Sequence, residues 1–121
     1  MNNTKEMTYI AIVDDKKTIR TALQARFEET TNYKVLFTAE NGKDFLEKMM
    51  IARKGISPDV VLMDIDMPEV NGIEGVKRIK NVRPETQIIM LTVFEDDDKI
   101  FDAIKAGADG YLLKNTIPSD L

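Results

Sequence analysis

The chain has 121 residues, a formal net charge of −4, and neither cysteine nor histidine. That is the size of one domain, residues 1–121, with no disulfide, thiolate metal site, imidazole base or histidine ligand. The acidic balance opposes direct nucleic-acid binding by this segment, and the N-terminal MNNTKEMTYIAIVDD contains no signal peptide or membrane span, so a cytoplasmic setting is expected.

Apolar runs and helical spacings alternate along the chain. YIAIV at 9–13 reads as a strand, and Ile19, Leu23 and Phe27 then recur every four residues, as on one face of a helix. YKVLFTA at 33–39 reads as an edge strand with Val35 and Phe37 on one face, because it alternates and carries Lys34. Phe45, Leu46, Met49 and Met50 mark a second helix, stopped by Gly55 and Pro58. DVVLMD at 59–64 is a buried strand, and Ile73, Val76 and Ile79 give a third helix that stops before Pro84. QIIMLT at 87–92 is a further strand. EDDDKIFDAIKAG follows, with acids at the positive end of a helix dipole and Gly107 at its C′ position. GYLLK at 110–114 is a fifth strand.

Strictly alternating strands and helices predict an α/β fold with parallel strands and right-handed crossovers. The expected architecture is an open five-stranded parallel sheet in the order 2-1-3-4-5, flavodoxin-like, with helices on both faces. Ligands of such sheets bind beyond the carboxyl ends of the strands, where the strand order reverses. Strand 1 ends in Asp14-Asp15, strand 3 in Asp64, strand 4 in Thr92 and strand 5 in Lys114. Three carboxylates so close together repel unless a cation sits among them or protons are retained. With oxygen ligands alone, Mg²⁺ is the natural cation, completed by waters and phosphate oxygens. Lys114 supplies a point charge for a phosphoryl group, Thr92 a hydrogen bond, and a carboxylate such as Asp64 is a competent phosphoryl acceptor.

The acid pair of IVDD, the loop MDIDMPEVNG, the LT closing strand 4 and the lysine of GYLLK together resemble the receiver domains of two-component response regulators, over residues 8 to 121. The stretch LTVFEDDDKIFDAIKAGADGYLLKNT is similar to receivers of the NarL/LuxR-like subgroup, which precede a helix-turn-helix DNA-binding domain. The resemblance implies a CheY-like fold whose fifth helix is truncated here. It also implies a regulatory switch, not an enzyme, beyond its own phosphorylation and dephosphorylation. Asp64 is the implied phosphorylated residue. Asp14, Asp15 and Asp64 are the implied Mg²⁺ ligands, with the backbone carbonyl of Asp66. Thr92 and Lys114 are the implied phosphoryl contacts and Tyr111 the implied switch aromatic. The implied donor is a phosphohistidine on a sensor histidine kinase, and the implied output is a transcription-regulating domain, with phosphorylation-dependent homodimerisation open. Asn115 stands where many receivers carry proline, and Val93 where a smaller residue is common.

Blander readings exist for each residue. Asp14-Asp15 would serve as a helix cap, Asp66 as a turn residue, and Tyr111 as a core or partner-facing ring. An alternative function uses Asp64 and Asp66 as the D-x-D pair of a small haloacid-dehalogenase-like phosphatase. That motif ordinarily lies on the first strand of a larger, capped domain, and the reading leaves Asp14-Asp15 unexplained.

Overall fold

A computed structural model of the chain describes residues 7–52, 57–65, 72–92 and 97–114. Within them nine elements alternate: β1 (Thr8–Val13), α1 (Lys17–Glu28), β2 (Tyr33–Ala39), α2 (Gly42–Ala52), β3 (Val60–Asp64), α3 (Gly72–Val82), β4 (Gln87–Thr92), α4 (Asp97–Ala106) and β5 (Gly110–Leu113). The strands form one five-stranded sheet in the order β2-β1-β3-β4-β5, and every pairing is parallel. This is the expected order. The β1–β3 boundary, where the connections reverse direction, is the crevice that such sheets use for ligands.

Side-chain alternation divides the core into two layers. Ala11, Val13, Val61, Met63, Ile88 and Met90 pack on one face, against Phe45 and Met49 of α2, Val76 and Ile79 of α3, and Ala103 of α4. Ile10, Ile12, Leu62 and Leu91 pack on the other face, against Leu23 of α1. The three central strands are therefore apolar on both sides, as helix-covered parallel strands must be. The expected truncation of a fifth helix concerns residues 115–121, outside the described residues, as are Val93 and Asn115. Leu112, paired with Leu91, is 44% exposed on the α1 side of the sheet.

One expectation about β2 is corrected. Val35 packs in the α1 layer and Phe37 in the α2 layer, so they lie on opposite faces. The β1–β2 register shifts between Ile10 and Ala11: Ile10 pairs with Val35, but Ala11 pairs with Phe37. Leu36 is the extra residue of a β-bulge, and one inserted residue inverts the facing of everything beyond it.

Two helix ends show why the chain turns where it does. At the start of α2, the Asn41 side chain accepts the Asp44 N–H at 2.7 Å, and the Asp44 carboxylate accepts the Glu40 N–H at 3.2 Å. Asn41 thus caps the first turn, while the Asp44 carboxylate reaches back to the N–H one residue before the cap. At the end of α4, Ala108 N–H bonds the Ala103 carbonyl and Gly107 N–H bonds the Ile104 carbonyl, both at 3.0 Å. This is a Schellman closure, with Gly107 at φ 120° in the C′ position anticipated for it.

Candidate metal and phosphoryl site

The site forms because four strands end at the same level. Val13 pairs with Met63, so Asp14 follows β1 beside Asp64, the last residue of β3. Asp64 pairs with Leu91, and Thr92 pairs with Leu113, so Lys114 emerges from β5 at the same edge. Asp14, Asp64, Thr92 and Lys114 are all buried.

Asp14 is held from several directions. Its N–H bonds the Ala39 carbonyl at 3.1 Å, its Oδ1 accepts the Lys16 N–H at 2.8 Å, and its carbonyl accepts Arg20 Nη1 at 2.7 Å. The Oδ1 contact is a local turn onto Lys16, the N-cap residue of α1, which has no side-chain cap, so the helix-cap role weighed for the acid pair is not the one it plays; the turn occupies one oxygen only. Oδ2 faces inward, 2.7 Å from Lys114 Nζ, which also lies 3.2 Å from Asp64 Oδ1. Although these charges are close, neither Asp14 Oδ2 nor Lys114 Nζ makes a well-directed hydrogen bond among the described residues. They form an ion pair of poor angular quality.

Burial first, and then the neighbouring Asp14 charge, push the Asp64 carboxyl up to about 6, against the opposing pull of Lys114. Burial alone would lower the Lys114 ammonium, but Asp14 and Asp64 outweigh it and hold the group above its ordinary value. The site thus carries more negative charge than its single lysine balances.

Asp14, Asp15 and Asp64 each offer an oxygen, all within 4.8 Å of one another. Three carboxylate oxygens gathered this closely would suit a small hard cation such as Mg²⁺. A buried carboxylate oxygen without a directed partner, in an all-oxygen donor set, fits that hard cation. Asp15 is the most exposed member: its side chain is 35% exposed, with Lys16 Nζ 3.7 Å away and Asp64 in side-chain contact.

The structure brings together Asp14, Asp15, Asp64 and Lys114, with Thr92 at the end of the adjacent strand. Asp66 lies outside the described residues. Tyr111 pairs with Met90, so it stands on the α4 side of the sheet, 44% exposed. Arg20 had not been singled out in the sequence. An arginine six residues after Asp14 carries no motif of its own, and only the helical turn beginning at Lys17 folds it back to the Asp14 carbonyl.

A flavodoxin-like sheet with an acidic, lysine-bearing crevice at its β1–β3 switch point defines the class. A family model described as the response regulator receiver domain matches residues 10–121. The chain is 41% identical over 109 residues to the transcriptional regulatory protein LnrK of Bacillus subtilis, covering 90% of this chain and 48% of that one. It is 37% identical over 117 residues to the uncharacterized transcriptional regulatory protein YxjL of the same organism, covering 97% and 52%. The response regulator domain of Thermotoga maritima CheB superposes with a TM-score of 0.80 at 31% identity, covering 90% of this chain and 79% of that one.

The chain belongs to the response regulator receiver family, the phosphorylation-dependent switches of two-component signalling. It spans about half the length of the curated relatives it matches. The D-x-D phosphatase reading finds no support: Asp64 ends the third strand, and Asp14-Asp15 has a place beside it. Among the described residues, no helix is long and apolar enough to cross a membrane.

Proposed function

We propose that Asp64 accepts a phosphoryl group in the presence of Mg²⁺ and that the resulting change of charge drives the switch. The observation that carries this is the junction of the Asp14–Asp15–Asp64 cluster with Lys114, 3.2 Å from Asp64 Oδ1. A carboxyl near pKa 6 is mostly ionised at neutral pH, which a nucleophile requires. One Asp64 oxygen attacks phosphorus, the P–N bond of a phosphohistidine donor breaks, and the departing nitrogen keeps the electron pair. Asp14, Asp15 and Asp64, with the Asp66 carbonyl, would hold Mg²⁺, which neutralises charge developing on the phosphoryl oxygens. Lys114 and Thr92 contact the oxygens that arrive. Tyr111, 44% exposed on its face of β5, repacks as Thr92 follows them. The two conformations pre-exist, and phosphorylation favours the one that makes these contacts.

In this reading the chain is a single receiver unit, residues 1–121, in the cytoplasm. Its donor is a sensor histidine kinase, its own chemistry is limited to gaining and losing the phosphoryl group, and its output is a transcription-regulating domain. Both matched relatives carry transcriptional-regulator names, which supports that output. Phosphorylation-dependent homodimerisation is the form the output surface takes.

The test is intact mass after incubation with MgCl₂ and acetyl phosphate, beside Asp64→Asn. One phosphoryl adduct that needs MgCl₂ and is lost in the variant is the expected result. Donor hydrolysis without an adduct in folded protein, or an adduct that persists in Asp64→Asn, would overturn the assignment.

A further inference from the structure

We infer that Arg20 is a positioning residue for this site, acting through the main chain of Asp14; the inference rests on the reading of Asp14, Asp15 and Asp64 as the Mg²⁺ ligands. Arg20 Nη1 donates to the Asp14 carbonyl at 2.7 Å in a part-buried setting. That carbonyl belongs to the peptide joining Asp14 to Asp15. With the Asp14 N–H bonded to Ala39 and Oδ1 bonded to the Lys16 N–H, Arg20 supplies a third fixed point. Only Asp14 Oδ2 is left facing the site. The plane of the Asp14–Asp15 peptide, from which the Asp15 side chain departs, is thereby set before any cation arrives.

Asp15 has need of such an anchor. Its side chain is one-third exposed, and the ion pair to Lys16 is long, at 3.7 Å. Its other tie is the side-chain contact with Asp64, and it still has to present an oxygen within 4.8 Å of both neighbours. Groups that orient metal ligands without touching the metal typically change its affinity by about 10- to 100-fold when removed.

Electrostatics alone predicts the opposite sign. Arg20 is a cation near a net-negative cluster, so deleting its charge should tighten Mg²⁺ binding. Positioning predicts weaker binding. A purely structural strut between α1 and β1 would lower stability and leave the Mg²⁺ affinity of the folded protein unchanged.

The experiment is an NMR titration of the whole chain with MgCl₂, following the amides of Asp14, Asp15 and Asp64 in wild type, Arg20→Gln, Arg20→Met and Arg20→Lys. The dispersed spectrum shows in the same sample that each variant is folded. Arg20→Gln and Arg20→Met should raise the Mg²⁺ dissociation constant about tenfold. Arg20→Lys, which keeps the charge and one donor, should fall between them and wild type. An unchanged or tighter constant in either folded neutral variant would overturn the inference while leaving the metal site standing. Wild type without a saturable shift at the three acids would overturn the metal site itself, and this role with it.

Discussion

Lys114 Nζ lies 2.7 Å from Asp14 Oδ2, with both side chains almost wholly out of water. The pair is buried, angularly poor and shared with Asp64, so it stabilises the fold less than its distance suggests. Removing one partner is another matter, because it strands two buried carboxylates. Lys114→Met should cost about 3 kcal/mol in urea unfolding with EDTA present. MgCl₂ should recover more stability in this variant than in wild type, because the cation then meets an unopposed acidic cluster. Adduct formation from acetyl phosphate should fall, because the phosphoryl oxygens lose their ammonium. A variant as stable as wild type in EDTA would contradict the charge balance described for the crevice.

The raised Asp64 carboxyl makes the metal-free protein pH-sensitive in a definite direction. Its value is 3.8 when unperturbed and about 6 in the fold. A group whose folded value is raised contributes stability that is complete below the unfolded value and lost as pH climbs through the folded one. In EDTA the protein should therefore lose on the order of 2 kcal/mol between pH 4 and pH 7 through this group. Asp64→Asn should flatten that slope, and saturating MgCl₂ should oppose it. Urea midpoints at several pH values would show a rise instead of a fall if the carboxyl were not destabilised by burial.

At the opposite edge of the sheet, Asp109 Oδ2 accepts the Ile88 N–H at 2.8 Å and stands 2.9 Å from Lys80 Nζ. Burial pushes this carboxyl up, but the Ile88 N–H and Lys80 together outweigh it and hold it below its ordinary value. A depressed acid contributes stability above its unfolded value and loses it as pH falls through the folded one. Asp109 is 38% exposed, so solvent screening keeps the ionic share below about 1 kcal/mol. Asp109→Asn keeps an acceptor for Ile88 and should cost only that share at neutral pH. Asp109→Ala should cost roughly 1–2 kcal/mol more, because a part-buried N–H loses its partner. Equal losses in the two variants would show that the Ile88 bond contributes nothing.

Gly107 closes α4 at φ 120°, and a Cβ there would meet Lys80 Cγ at 2.9 Å. Gly107→Ala combines backbone strain with a displaced Lys80, and a loss of about 1–3 kcal/mol is expected. Because Lys80 is also the Asp109 partner, the double variant Gly107→Ala/Asp109→Asn should lose less than the sum of the two single losses. Strict additivity in thermal or urea unfolding would mean that Lys80 moves freely away from both.

The strands, their order and the crevice acids were legible because each has a local or topological signature. Apolar runs mark strands, four-residue spacings mark helices, and the α/β rhythm restricts the sheet order. Asp14, Asp64 and Lys114 stood out as charges ending apolar strands. The bulge at Leu36 left no such trace: YKVLFTA alternates well enough by itself, and the shift appears only in its pairing with β1. The contributions of Arg20 and Asp109 were hidden for a related reason. Both act on main-chain atoms of distant or turned segments, and main-chain partners are the same for every sequence.

Asp14, Asp64 and Lys114 are separated by fifty residues each. No hairpin, helix or single βαβ unit of this chain contains all three, and the last to join lies beyond β5. A nascent or clipped chain lacking that strand carries the acids without their counter-charge. In the proposed reading, the charge-balanced site is therefore complete only once the whole sheet has assembled.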